Sequence, residues 1–327
     1  MEINDLLNRN YFKGCLDEVK TERGIMPVRF TEQQFTEFEK VDFYHPRIRC
    51  LAGVTLECNT SSEFIKFIFI VNGRIRDWFN FDIYLNGSFF KSMKYDPIIG
   101  EEHEFFLEMP AEAGKLKNVK VYFPQNLEMV INQFEVSDQA ICNPVESSLR
   151  SLLCYGDSIT QGMDALHPSL TYPAILARSL GMNLLNQGVG RHLFDAKVLD
   201  DALPYKPDVI TVAYGTNDWG RCGNIEQLRK NCDEFYKNLS SYFPEAQIFA
   251  LTPLWRKNWK EMKATGSFQD VAEVIKDVCS NFQGITVIDG LDLIPHQLHY
   301  FNDGVHPNDE GFSKMAENLS ERILKAD

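Results

Sequence analysis

The chain has 327 residues, 44% of them hydrophobic and 12% aromatic, too many for one ordinary domain and enough to bury two cores. A formal net charge of −13 argues against a polyanion such as nucleic acid as the main partner, because such binders carry a basic face. No window approaches the roughly 20 apolar residues that span a bilayer, so no membrane partner is expected. The N-terminus shows no basic stretch leading into an apolar run, so no secretory leader is expected and the location expected is cytoplasmic. Eight cysteines lie scattered from Cys15 to Cys279 without a C-x-x-C pair, a pattern of buried, reduced thiols rather than of a zinc ribbon.

From about Val28 to Val136 the pattern is that of strands. The stretches 64–73 (FIKFIFIVNG) and 119–124 (VKVYFP) are rich in aromatic and β-branched residues and end in turn residues. Asn86-Gly87 sits between two such runs, a strong hairpin signal. Residues 31–40 (TEQQFTEFEK) suit a short helix. Many strands with no long helix between them predict an antiparallel sandwich of the jelly-roll type over residues 1–146, joined through 137–148 to a second domain at 147–327.

In that second domain apolar runs alternate with helical periods. The runs SLLCYG, NLLNQGV, DVITVAYG, AQIFALTP and GITVIDG predict five parallel strands, with helices near 171–181, 194–203, 225–241, 269–281 and 309–325. The expected fold is a three-layer α/β/α domain with its chemistry at the carboxyl ends of the strands.

Polar residues collect at those ends. The first run stops at Gly156-Asp157-Ser158, the second at NQGVGR (186–191), the third at YGTND with Asn217, and NDGVHP (302–307) follows the fifth. These are the parts of acyl transfer. A serine hydroxyl needs a base, which His306 can supply, and the imidazole needs a partner for its second nitrogen, which Asp303 can supply. A tetrahedral oxyanion needs preorganised donors: the Ser158 N–H, one N–H of the glycine-rich turn, and the Asn217 amide.

At this point the chain resembles the SGNH (GDSL-type) hydrolases. Their blocks stand in order as GDSIT with Ser158, NQGVGR, GTND with Asn217, and DGVH with Asp303 and His306, over roughly residues 148–325. The resemblance implies a flavodoxin-like fold and ester hydrolysis through an acyl-enzyme. The second block of that family ends in a glycine whose N–H enters the oxyanion hole. An ungapped match puts Arg191 there and a one-residue gap puts Gly190 there; the reading leans to Arg191, with Gly190 kept open. The first half is similar to the sandwich that precedes some bacterial SGNH carbohydrate esterases, on the stretches 47–64 and 119–136.

Competing readings are weighed on the same residues. Asp157 and Asp218 read as structural caps rather than chemical groups. A histidine-dense stretch (His296, His299, His306) raises a metal site, but a zinc would leave Ser158 and Asn217 without a task, so no metal is expected. GVGRHL lacks the third glycine of a dinucleotide fingerprint, so no nucleotide cofactor is expected. Trp255 and Arg256 after the fourth strand, with Trp219 and Arg221 after the third, are candidate cleft residues for a sugar. The expectation is a serine esterase that removes short acyl groups, acetyl first, from a carbohydrate or oligosaccharide. The alternatives are a lysophospholipase or thioesterase of the same family, or a non-catalytic carbohydrate-binding protein; a homo-oligomer stays open.

Overall fold

The computed structural model describes residues 10–111, 115–146 and 149–326. They make two compact units. The first takes the described residues of Met1–Phe30, His45–Ser148 and His167–Ser169, the second those of Thr31–Tyr44, Leu149–Leu166 and Leu170–Asp327.

The first unit is built from two antiparallel sheets. One runs in the order Phe12–Lys13, Thr55–Thr60, Lys117–Tyr122, Phe79–Leu85, Ser88–Tyr95, with Cys142–Pro144 also paired to Thr55–Thr60. The other runs Asp17–Thr21, Gly24–Val28, Leu127–Val136, Phe64–Arg74, Glu102–Glu108. Period-2 alternation explains the layering: in Glu102–Glu108 only Phe105 and Leu107 are buried, and both join the core. Phe67 and Phe105 face each other in register and stack with ring centroids 4.3 Å apart. The expected hairpin forms at Asn86-Gly87, where φ is 51° and 80°, so both turn residues are left-handed as a two-residue hairpin turn of the primed kind requires.

The buried charged residues of this unit include Arg29, Lys117 and Asp82. Asp82, fully buried on the strand Phe79–Leu85, accepts from His167 Nδ1 at 3.0 Å, from the Ser169 N–H at 3.0 Å and from Ser169 Oγ at 2.7 Å. Burial acts to raise its pKa, but these bonds outweigh burial and hold it below the ordinary carboxylate value.

The second unit carries five parallel strands in the order Asn183–Gly188, Ser151–Gly156, Val209–Ala213, Gln247–Leu251, Ile285–Ile288. Numbered along the chain this is 2-1-3-4-5, the flavodoxin-like order, with its switch point beside the first strand. Helices Tyr172–Leu180, Ile225–Tyr242, Phe268–Cys279 and Asp309–Ala326 form where the periodicity predicts them. The helix expected at 194–203 does not form; one 3₁₀ turn, Ala196–Val198, stands there. Asp195 and Asp200 accept from the N–H groups of Lys197 and Ala202, local bonds that replace a helical ladder.

The segment 31–44 corrects the expected boundary at 146/147, since by its contacts it belongs to the second unit. Thr31 and Gln34 close a capping box on the helix Glu32–Phe38. Gln34 and Gln187, both buried, exchange side-chain amide bonds of 2.9 Å, and Phe38 and Tyr44 set their rings edge-on to His192. The helix expected at 31–40 forms, and its buried face packs on residues of the second unit, to which the segment itself belongs.

The Asp82 charge sets a pH dependence. A depressed carboxylate contributes stability that is present above its unfolded value, about 3.9, and is lost as pH falls through the lower folded value. At pH 7, Asp82→Asn should lower the unfolding free energy by about 1.5–3 kcal/mol, the worth of a bond to a buried charge. Denaturant titrations at several pH values should show this gap closing below about pH 4. A gap that stays constant with pH would mean the charge is not what holds residues 167–169.

Candidate active site

The first parallel strand ends at Gly156, and Asp157 caps the four-residue helix Ser158–Gln161, its carboxylate accepting the Ile159 N–H at 2.9 Å. Ser158 is thus the first helical residue. Its own N–H has no hydrogen-bond partner among the described residues. Gly162 ends the helix in the left-handed conformation. The second strand passes so close that a Cβ on Gly188 would collide with the backbone of Thr160 and Gln161, so only glycine fits there. Asn186 locks the same junction by donating to the Thr160 carbonyl at 2.7 Å.

His306 arrives from the loop after the fifth strand. Asp303 Oδ1 accepts the N–H groups of Val305 and His306, each at 2.8 Å, which curls the loop. Asp303 Oδ2 then lies 2.7 Å from His306 Nδ1, and His306 Nε2 lies 2.8 Å from Ser158 Oγ. An ionised carboxylate can only accept, so Nδ1 carries the proton and Nε2 is left to accept from the serine hydroxyl. Burial acts to raise the Asp303 pKa, but the His306 ring and the loop amides hold it well below the usual carboxylate range.

The donors divide clearly. The Gly190 N–H is engaged by Gln161 Oε1 at 2.8 Å, whereas the Arg191 N–H has no partner among the described residues. Arg191 stands at φ 67°, a left-handed conformation that costs a non-glycine residue about 1–2 kcal/mol. Its guanidinium lies over the Phe43 ring at 4.5 Å, a contact that offsets about 0.5–1 kcal/mol of that cost. Asn217 Nδ2 donates to Asp157 Oδ2 at 3.0 Å and, more weakly, to the His192 carbonyl at 3.3 Å, so its amide is partly committed.

Buried ionisable groups surround this chemistry. Asp157 is pushed up to about 6 by burial, against the pull of the Ile159 N–H, His306 and Arg256. Asp218 is pushed up to about 7 by burial, while it ties the Phe194 and Gly215 N–H groups at 3.0 Å each. Burial drives His192 down to about 4, so it is neutral at pH 7.

The cleft candidates fare unequally. Trp219 is 1% exposed and Trp255 8%, so neither ring offers an open face to a sugar. Trp255 instead stacks on His296 at 5.6 Å. Arg221 is exposed and donates to the Arg191 carbonyl at 2.8 Å. Arg256 is half-buried; it donates from Nε to Asn258 at 2.8 Å and feels the charges of Asp157 and Asp303. Three residues at the site escaped the sequence reading: Gln161, His192 and Asp164. Gln161 directly follows the first block and His192 the second, so a search extended by one residue would find both, but not Asp164. Asp164, Asp303 and His306 also place ligand-type atoms within 4.8 Å of one another, the one such trio among the described residues. The His306 nitrogen in that trio already holds Asp303.

Two substitutions separate backbone from side-chain donors. Asn217→Ala should lower kcat by about 10²–10³, the usual worth of an oxyanion donor. Arg191→Gly keeps the open N–H and relieves the left-handed strain, so kcat should stay within a few-fold. A large loss in Arg191→Gly would assign the task to the guanidinium rather than to the backbone.

Residues 154–314 match the model of the GDSL-like lipase/acylhydrolase family. An acetylxylan esterase of Xylanibacter ruminicola is 25% identical over 225 residues, 57% of this chain and 45% of that protein. The chain spans less than half the length of the curated relatives it matches. In fold, the chain is similar to a salicylyl-acyltransferase from a tetracycline biosynthetic pathway (TM-score 0.83, 20% identity, covering 96% of this chain and 93% of that one). It is also similar to a family two carbohydrate esterase from Clostridium thermocellum solved with cellohexaose (TM-score 0.65, 17% identity, 85% and 93% covered). The four blocks, assembled at the carboxyl edge of a 2-1-3-4-5 sheet, all fall within residues 154–314, the stretch that matches the GDSL-like lipase/acylhydrolase family model.

Proposed function

We propose that this chain is a serine esterase that removes short acyl groups, acetyl first, from a carbohydrate, with Ser158 as nucleophile. The observation that carries the reading is the continuous line Ser158 Oγ–His306 Nε2, His306 Nδ1–Asp303 Oδ2, with bonds of 2.8 and 2.7 Å, beside two open backbone N–H groups.

In the proposed reaction Ser158 Oγ attacks the ester carbonyl while His306 Nε2 takes the hydroxyl proton. The Ser158 and Arg191 N–H groups receive the developing oxyanion, with Asn217 as third donor once its weaker bond to the His192 carbonyl exchanges. Asp303 accepts from Nδ1 throughout and stabilises the imidazolium without being protonated. His306 returns the proton to the leaving alcohol, then takes one from a water that attacks the acyl carbon, and gives that proton to Ser158 Oγ as the C–Oγ bond breaks and the acid leaves. The carbohydrate half of the proposal draws support from the names of the relatives: an acetylxylan esterase and a family two carbohydrate esterase solved with cellohexaose. Oligosaccharide esters are the proposed substrate class.

Initial rates on p-nitrophenyl esters from acetate to decanoate, with Ser158→Ala in parallel, test the reading. The expected result is a rate highest at acetate, lost at least 10³-fold in Ser158→Ala, and matched by release of acetate from acetylated xylo-oligosaccharides. A maximum at long chains would move the substrate to lipid or thioester acyl groups.

Chelation supplies a second test. EDTA should leave the rate unchanged, because a Ser158–His306 pair generates its nucleophile without a Lewis acid. Loss of activity restored by a divalent cation would transfer the chemistry to a metal held by Asp164, Asp303 and His306.

A further inference from the structure

His306 Nδ1 faces two carboxylates. Asp303 Oδ2 is at 2.7 Å, and Asp164 Oδ2 is at 3.8 Å, an ion-pair distance when the ring is protonated. The two differ in setting: the Asp303 side chain is 50% exposed, that of Asp164 only 8%. A buried carboxylate acts on a nearby charge through a lower dielectric than an exposed one, so Asp164 can act on the ring even at the longer distance.

The backbone holds Asp164 there under strain. Its φ is 71°, in the left-handed region where glycine is the ordinary occupant. Strain of that kind persists where the surroundings over-determine it, and it collects at functional sites. Here the surroundings tie Asp164 to both halves of the chemistry. The Met163 N–H bonds the Ser158 carbonyl at 2.9 Å, and Asn302 Nδ2 bonds the Asp164 carbonyl at 2.7 Å, one residue before Asp303. The Leu166 N–H bonds Asp309 Oδ1 at 2.8 Å, at the start of the last helix. The carboxylate is thus indexed to the nucleophile from one side and to the histidine loop from the other.

We propose that Asp164 is a second positioning residue for His306, sharing its Nδ1 edge with Asp303 and stabilising the imidazolium that forms when Ser158 attacks. The proposal rests on the reading of Ser158 as nucleophile and His306 as base. Asp164 touches neither substrate nor reacting atoms and acts only through the ring. When Asp303 is removed, a small swing of the imidazole brings Nδ1–H to Asp164, so the pair is partly redundant. The charges facing His306 are Asp303 on its own loop, Asp164 after the nucleophile helix, and Asp157 at the cap of that helix, with Arg256 near both Asp157 and Asp303.

A double-mutant cycle with Asp164→Asn and Asp303→Ala tests this. Asparagine matches aspartate in shape and tolerates the left-handed conformation, so Asp164→Asn should keep the wild-type thermal midpoint. Alone it should lower kcat by roughly tenfold with KM within twofold, and shift the acidic limb of the kcat/KM–pH profile to lower pH, because one negative charge fewer faces the imidazolium. In the Asp303→Ala background the same change should cost roughly a hundredfold or more, down to the level of Ser158→Ala. Equal losses in the two backgrounds with an unmoved acidic limb would overturn the proposal while leaving the nucleophile intact. Undiminished turnover in Ser158→Ala would overturn the underlying reading as well.

Discussion

The hydrogen bond between Ser158 Oγ and His306 Nε2 joins residues 148 positions apart, and the second unit is organised so that it can form. It requires the first and fifth parallel strands to lie in one sheet, with their following loops on the same edge. The 2-1-3-4-5 order supplies that edge, and the first strand, flanked on both sides, ends just before Ser158. Glycine at 188 lets the second strand approach the Ser158 helix at backbone distance, and Asn186 and Gln161 tie the two turns together.

Electrostatics at the site follow from burial. Asp157, Asp218 and His192 are all nearly inaccessible, and each is pushed toward its neutral form. The His192 carbonyl beside Asn217 and an Asp157 raised only to about 6 leave the Ser158 side moderately negative at pH 7. Asp303 completes the arrangement from the other side of the ring. The opposite directions of shift, up for Asp157 and down for Asp303, reflect dehydration in one case and specific bonds in the other.

The parts legible in the sequence were those with a short-range signal. The Asn86-Gly87 turn, the apolar parallel strands and four of the five helices expected at 147–327 follow from local pattern alone, and the four blocks drew attention to Ser158, Asn217, Asp303 and His306. What escaped was set by long-range packing. The helix Glu32–Phe38 is recognisable as a helix, but nothing local reveals that Gln34 pairs with Gln187 or that Phe38 meets His192. The stretch 194–203 has helical periodicity, yet its aspartates bond their own following amides. Trp219 and Trp255 stand beside the blocks in sequence, but their rings are buried, because proximity along the chain does not decide which way a side chain faces.

The central claim is that Ser158 is the nucleophile, activated by His306. The most direct measurement is intact-protein and peptide mass spectrometry after reaction with a fluorophosphonate, with the His306→Ala variant alongside. With Ser158 as nucleophile and His306 as its base, one phosphonyl adduct per chain is expected, located on Ser158, with labelling slowed by orders of magnitude in His306→Ala. An adduct on another residue, or labelling of Ser158 that is indifferent to His306, would contradict it.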